Sequence, residues 1–248
     1  MTHPIHIGVG GWSYEPWQGT FYPDKLAKAK ELAHAASRLT AIEINSTYYG
    51  SQKPESFAKW ADATPDGFVF TVKASRYATN RRVLADAGPS VDKFVQQGIT
   101  RLGDRLGPIL WQFMPTKKFD ADDFGAFLKL LPKEQDGVKL RHAVEVRHES
   151  FVCPAFVELA RKHRVAIVQA CHDSYPEIAE ETANFAYLRL QQSREAEPTG
   201  YSPAELDNWA KKLRGMAKDR EVFLFFISGA KVRNPAAAMA LIERLGAK

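Results

Sequence analysis

Short apolar runs alternate along the chain with segments in which apolar residues recur three and four positions apart. Eight runs rich in Val, Ile and aromatic residues have the length of buried strands, and they cover residues 5–9, 41–45, 68–73, 108–113, 142–147, 165–170, 185–190 and 222–227. The segments between them have the spacing of amphipathic helices, as in Phe124, Phe127, Leu128 and Leu131. The pattern therefore predicts strands and helices in alternation over the whole chain.

Two of the predicted helices have clear starting signals. Ser202 and Glu205 form a capping box with a proline at the first helical position. Asn234 and Pro235 precede an apolar stripe and predict the start of the last helix.

Eight strand and helix repeats in 248 residues match a barrel. We predict the α/β class, a single TIM-type (β/α)8 barrel with eight parallel strands and surrounding helices, and one domain over residues 1–248. The main alternative is an open doubly wound sheet, which normally has a glycine-rich phosphate turn after its first strand. Here Ser13 occupies the third glycine position of that turn, so the barrel is favoured.

Four strand runs carry polar residues two positions apart. The pairs are Glu43 with Asn45, Lys73 with Ser75, Glu145 with Arg147, and Arg189 with Gln191. Because strand side chains alternate between faces, each pair projects to one side while its apolar neighbours project to the other. The apolar side must meet the helices, so the polar side points into the barrel, late in each strand, where barrel active sites are built. Gln112, near the end of the fourth run, is expected to join this group.

The predicted interior group contains three positive and two negative charges, which leaves a residual charge of +1. An internal salt-bridge network is one interpretation, because buried charges must be paired. A ligand pocket is favoured, since a network at the mouth alone has no advantage over apolar layers. Lys73, Arg147 and Arg189 suit a phosphate or carboxylate ligand, and Glu43 and Glu145 are the candidate catalytic acid and base.

Aromatic residues crowd the predicted loops after the first two runs. Trp12 and Tyr48 are candidate ligand contacts there, because flat rings stack on bases and sugars. The alternative is a loop that packs on its own aromatic residues. Arg76, Arg81 and Arg82 follow the third run, where they either extend a positive track that admits single-stranded nucleic acid or face solvent.

The sixth run ends in Cys171, His172 and Asp173, which adds a candidate base or metal ligand. We take Asp173 as a candidate ligand contact. A metal site formed by Glu43, Glu145, His172 and Asp173 is a weaker alternative, because strong metal spacings are missing and three cations lie nearby. We therefore expect no metal and no cofactor.

Composition adds little beyond this. Lys and Arg number 34 against 29 for Asp and Glu, a formal charge of +5 that weakly favours anionic partners. The two cysteines are isolated, the longest apolar runs are short of the roughly 18 residues of a membrane helix, and the start lacks a signal-peptide pattern. We expect a cytoplasmic protein without membrane contact that binds a small anionic ligand, with nucleic acid as a further partner class; the oligomeric state is left open.

Several motifs in the chain resemble those of the YecE-like family, domain of unknown function 72. They lie at residues 7–14, 42–48, 64–68, 72–74, 106–112, 143–148 and 187–189. The resemblance implies a TIM-type barrel with a polar pocket at its mouth, and it supplies no reaction.

The same comparison of motifs shows three departures from the family pattern. Gln191 and Gln192 stand where the family usually has His-Gly, Ile227 and Ser228 replace an Asn-Asn pair, and Gly10 replaces a common Ser. These are pocket positions in the family, so the departures imply either another ligand or a chemistry reduced to binding.

Three functions fit these observations. The first is an enzyme that uses acid–base or hydrolytic chemistry on an anionic, phosphorylated or nucleic-acid-derived substrate. The second is a non-catalytic binder of a nucleotide, a sugar phosphate or single-stranded nucleic acid. The third is a structural partner protein that uses its basic face.

Overall fold

The computed structural model describes residues 2–246, which contain eleven strands. The strands are β1 (Ile5–Gly10), β2 (Ala41–Ile44), β3 (Val69–Lys73), β4 (Leu106–Gln112), β5 (Glu134–Gln135), β6 (Val138–Lys139), β7 (His142–Glu145), β8 (Ala166–Ile167), β9 (Gln169–Cys171), β10 (Phe185–Leu190) and β11 (Glu221–Phe226). Nine of them form one sheet in the order β8-β7-β4-β3-β2-β1-β11-β10-β9, and β5 and β6 form a separate antiparallel pair. Every pairing within the large sheet is parallel.

The large sheet curls into a nearly closed barrel. Its two end strands, β8 and β9, are the halves of a single run that is interrupted at Val168. The Val168 amide donates to the carbonyl of Val144 over 2.9 Å, and β9 then pairs with β10. The nine strands are therefore the eight predicted runs with the sixth one split, and the predicted TIM-type α/β barrel is confirmed.

Helices cover the outside of the barrel. They are α1 (Lys28–Arg38), α2 (Ser46–Tyr49), α3 (Pro54–Asp62), α4 (Arg76–Thr79), α5 (Gly88–Val95), α6 (Ala121–Leu130), α7 (Pro154–His163), α8 (Pro203–Met216) and α9 (Asn234–Leu245). Short 3-10 helices span Glu15–Trp17, Leu84–Ala87, Ile99–Arg105, Glu149–Phe151 and Lys231–Arg233. Both predicted helix starts are confirmed: Ser202 and Glu205 make the capping box of α8, and α9 begins at Asn234.

Strand alternation produces two hydrophobic clusters. Ile42, Val144 and Leu188 face outward and pack in the large cluster between the strands and the helices. The smaller cluster fills the inside of the barrel, with Leu110 and Phe223 among its members. The interior is apolar at the level of these residues, and the polar side chains follow them toward the carboxyl ends of the strands.

Close packing at the first strand explains one glycine. A Cβ atom on Gly8 would lie 1.8 Å from the carbonyl oxygen of Ala41 on the neighbouring strand. The loop after β1 turns back on its own aromatic residues, and Trp17 and Tyr22 are both buried there. No helix within residues 2–246 is long and apolar enough to cross a membrane.

Candidate anion site at the barrel mouth

Five polar residues from four strand ends meet inside the barrel near its carboxyl-terminal mouth. Arg189, on β10, is the centre of this group. Its Nε and Nη2 atoms donate to the two carboxylate oxygens of Glu43, on β2, over 3.1 and 3.0 Å. Its Nη1 atom donates to Glu145, on β7, and to the Gln112 side-chain oxygen, on β4, over 3.2 Å. A planar guanidinium group is well suited to such a fork, which fixes the positions of both carboxylates.

Arg147 connects this group to the surface. It lies two residues beyond Glu145, so the alternation of side chains places both on the inner face. Its Nε donates to Glu145 over 2.6 Å and its Nη2 to Gln112 over 2.9 Å. The guanidinium group also lies 4.5 Å from the centre of the Tyr175 ring. The Arg147 side chain keeps 15% of its surface exposed, whereas Glu145 is fully buried.

Both glutamates are paired with arginines in this arrangement. Burial by itself would raise the pKa of Glu145, but Arg189 and Arg147 hold that pKa below its ordinary value. Glu43 accepts a third hydrogen bond from the hydroxyl of Tyr187 over 2.8 Å, and that hydroxyl accepts one in turn from Thr71 over 2.9 Å. The two carboxylates are therefore paired with the two arginines.

Lys73, at the end of β3, lies beside this group and, unlike its two arginines, has no carboxylate partner. Among residues 2–246, no carboxylate oxygen lies within 4.0 Å of its ammonium group, which sits 4.2 Å above the centre of the Tyr48 ring. Lys73 is 9% exposed, and burial, followed by the charge of Arg189, lowers its pKa from 10.5 to about 8. The residual positive charge of the site is thus carried by Lys73.

The members of this group differ in how exposed they are. Glu43, Glu145 and Arg189 are buried, with at most 2% of each exposed. Asn45 is half-buried above Glu43 and donates to the Glu43 backbone carbonyl over 3.3 Å. The side-chain nitrogen of Gln191 is buried and has no acceptor in the part of the chain that the structure describes.

Two predicted site residues lie apart from this group. The Trp12 ring packs edge-on against Trp60 and Phe70, with ring centres 5.1 and 6.3 Å apart, on the helix-facing side. Asp173 is exposed and accepts a hydrogen bond from Gln192. Within residues 2–246, no group of three His, Cys, Asp or Glu side chains has the geometry of a metal site.

Three site residues were not found from the sequence. Tyr187 lies in an apolar run that contains other aromatic residues, so the sequence does not single it out. Its position two residues before Arg189 nevertheless places it on the inner face. Thr71 stands in the same relation to Lys73. Tyr175 lies in an irregular loop, where no periodicity indicates a direction.

The fold and the site define a TIM-type barrel with a charged, hydrogen-bonded mouth. The family model described as "Protein of unknown function DUF72" matches residues 6–248. The chain therefore belongs to the DUF72 family, as the motifs predicted.

Relatives and solved structures agree with this assignment. The UPF0759 protein YunF of Bacillus subtilis is 28% identical over 159 residues, which are 62% of this chain and 54% of YunF. The UPF0759 protein YecE of Escherichia coli O157:H7 is 28% identical over 178 residues, 69% of this chain and 60% of YecE. The chain thus matches little more than half the length of these curated relatives. A DUF72 family protein from Thermotoga maritima has the same fold, with a TM-score of 0.78 at 22% identity over 99% of this chain and 100% of that one.

Proposed function

We propose that the barrel mouth binds a small anionic ligand, such as a phosphorylated one, between Lys73 and Arg147. The observation that supports this function is the unpaired ammonium group of Lys73. An uncompensated cation in a buried position costs free energy, and the two carboxylates nearby are already engaged by arginines. An anion bound beside Lys73 supplies the missing negative charge.

Neighbouring groups suit the same ligand. Arg147 is the more exposed of the two arginines, and its guanidinium group offers fixed donors to a phosphate or carboxylate. Gln191 brings a donor that has no acceptor among the described residues. Tyr48 covers the ammonium group of Lys73 and offers a ring face to the rest of the ligand.

Sulfate is the probe for this proposal, because its charge is constant between pH 6 and pH 10. Its dissociation constant, measured by calorimetry, is expected to be flat below about pH 7 and to rise above pH 8, where Lys73 loses its proton. The rise approaches tenfold for each pH unit. Lys73→Met is expected to abolish binding, and the control Lys218→Met, at an exposed lysine, to leave it unchanged. Affinity that is independent of pH, or that survives in Lys73→Met, would overturn the proposal.

Catalysis at the same site is the second candidate function. The supporting observation is the position of two carboxylates, Glu43 and Glu145, which are hydrogen-bonded to the arginines that would hold a substrate. In this function Lys73, Arg147 and Arg189 hold an anionic substrate. Glu43 and Glu145 remain the predicted acid and base, since a ligand that draws Arg147 away from Glu145 removes one of the charges that hold its pKa down.

Product analysis separates the two functions. Wild type, Glu145→Gln and Lys73→Met are incubated with pools of phosphorylated metabolites, and products are followed by mass spectrometry. Turnover by wild type that is lost in both variants supports catalysis. Sulfate-competitive binding without turnover in any pool supports the binding function alone.

A further inference from the structure

A second basic site lies beside the barrel mouth, between the loops that follow β3 and β4. It is a groove of about 560 Å³ whose charged lining residues are Arg81, Arg82, Lys117 and Lys118, with no acidic residue among its walls. Asn80 also lines the groove, and its side-chain nitrogen donates to the Tyr48 hydroxyl over 3.4 Å. The groove therefore begins one hydrogen bond away from the ring that covers Lys73.

The charge of this groove is largely uncompensated. Lys117 is paired with Asp123 over 2.7 Å, but Arg81, Arg82 and Lys118 have no ion-pair partner in residues 2–246. Arg81 is nevertheless held in place, because its Nε donates to the Tyr77 carbonyl and its Nη2 to the Ser90 hydroxyl, each over 2.8 Å. A guanidinium group fixed by neutral acceptors keeps its charge available to a ligand.

Exposed apolar side chains lie on the same side of the barrel as this groove, and one of them, Met114, lines it. The large apolar residues that the structure leaves exposed are Tyr49, Tyr77, Val83, Met114 and Val152. They lie in the loops after β2, β3, β4 and β7, and these four strands are neighbours in the barrel. Tyr49 and Tyr77 are 67% and 61% exposed. Exposed large apolar groups gathered on one side of a protein mark an interaction surface.

We infer that this side of the mouth binds single-stranded nucleic acid. Arg81, Arg82 and Lys118 contact successive phosphates in the groove, while Tyr49 and Tyr77 offer faces on which bases stack. A cationic groove flanked by exposed aromatic rings is the combination that binds single strands without sequence readout. The inference adds a partner to the proposed function and does not depend on a ligand at Lys73.

Fluorescein-labelled dT12 and rU12 are the probes, and fluorescence anisotropy at 50 to 300 mM NaCl is the measurement. Three phosphate contacts predict that log Kd rises with log salt concentration with a slope of about 2, because each contact on a single strand contributes about 0.7. The triple variant Arg81→Gln, Arg82→Gln, Lys118→Gln is expected to bind at least tenfold more weakly. A matched triple variant on other faces, Lys28→Gln, Lys211→Gln, Lys218→Gln, loses the same charge and is expected to bind like wild type. Comparison of dT12 with rU12 shows which sugar is preferred, and binding of either one supports the inference.

A second variant tests the stacking component. Tyr49→Ser with Tyr77→Ser is expected to weaken dT12 binding at least tenfold while leaving the salt slope unchanged, since the variant loses two rings on which bases stack and no charge. Thermal unfolding confirms that each variant is folded. Lys73→Met should bind dT12 normally, and the groove variant should still bind sulfate, so failure of this inference is distinct from failure of the proposed function.

Three results would overturn the inference. The first is equal loss of affinity in the two triple variants, which would mean attraction by net charge alone. The second is equal affinity for a 12-base-pair duplex or for inorganic polyphosphate, which carry charge but offer no free bases. The third is unchanged dT12 binding in the double tyrosine variant.

Discussion

Replacement of Lys73 by Met is expected to make the protein more stable at neutral pH. Lowering the pKa of this lysine from 10.5 to about 8 means that the buried ammonium group destabilises the folded state. At 1.36 kcal/mol for each pH unit, the effect is about 3 kcal/mol. Loss of the contact with the Tyr48 ring, 4.2 Å away, subtracts about 1 kcal/mol. The net expectation for Lys73→Met is a gain of about 2 kcal/mol in the free energy of unfolding.

The pH dependence of that gain tests its cause. Because the pKa in the folded state lies below that in the unfolded state, the unfolded chain binds more protons between pH 8 and pH 10.5. The buried ammonium group of Lys73 therefore destabilises wild type fully below pH 8, and this destabilisation decreases as the pH rises toward 10.5. Urea unfolding at pH 7, 9 and 10.5 should show the advantage of Lys73→Met shrinking along this series.

The exposed Lys218 provides the control. Lys218→Met should change stability by less than about 0.5 kcal/mol at every pH, as is usual for surface positions. A Lys73→Met variant that is less stable than wild type at pH 7 would refute the reasoning. So would an advantage that stays constant from pH 7 to pH 10.5.

Three further substitutions test the packing and pairing described above. Glu43→Gln should lower the free energy of unfolding in urea by about 3 to 5 kcal/mol, because the buried guanidinium of Arg189 loses one of two carboxylates; a loss below 1 kcal/mol would contradict this pairing. Gly8→Ala should lower the free energy of unfolding by about 3 kcal/mol or more, measured by thermal unfolding, since the new methyl group would overlap the carbonyl of Ala41. A variant as stable as wild type would show that β1 and β2 can move apart to make room for it. Ser202→Ala removes the capping box of α8 and should cost about 1 kcal/mol, measured by the same urea titration, with no change expected if solvent satisfies the freed amides.

The alternation of side chains along each strand made the polar group inside the barrel predictable. Glu43, Glu145 and Arg189 are flanked by apolar residues that had to face the helices, so only one direction remained for the charged side chains. The same argument placed Lys73 among them, but it gave no pairing. Which cation stays without a carboxylate depends on side-chain reach across the barrel, and this is a property of the folded geometry alone.

The directions of side chains in loops could not be predicted in this way. Trp12 was expected at the mouth because it follows the first strand, yet its ring packs against Trp60 on the helix side. No periodicity applies in such a segment, so sequence position does not fix the direction of a side chain. The break at Val168 was equally hidden, because residues 165–170 read as one continuous apolar run.

The interrupted sixth strand gives the barrel a seam. The first half of the run, β8, pairs with β7, and the second half, β9, pairs with β10. The neighbour to which this strand is hydrogen-bonded therefore switches at Val168. Residues 172–184, all of them described, form no helix to brace this wall from outside. The ladder between β7 and β8 pairs two residues, fewer than any other pairing that the structure describes in the large sheet, so separation of the wall there breaks the fewest backbone pairs. Amides of β8 are expected to exchange with solvent earlier than those of β10 and β11, which pair with each other over six residues.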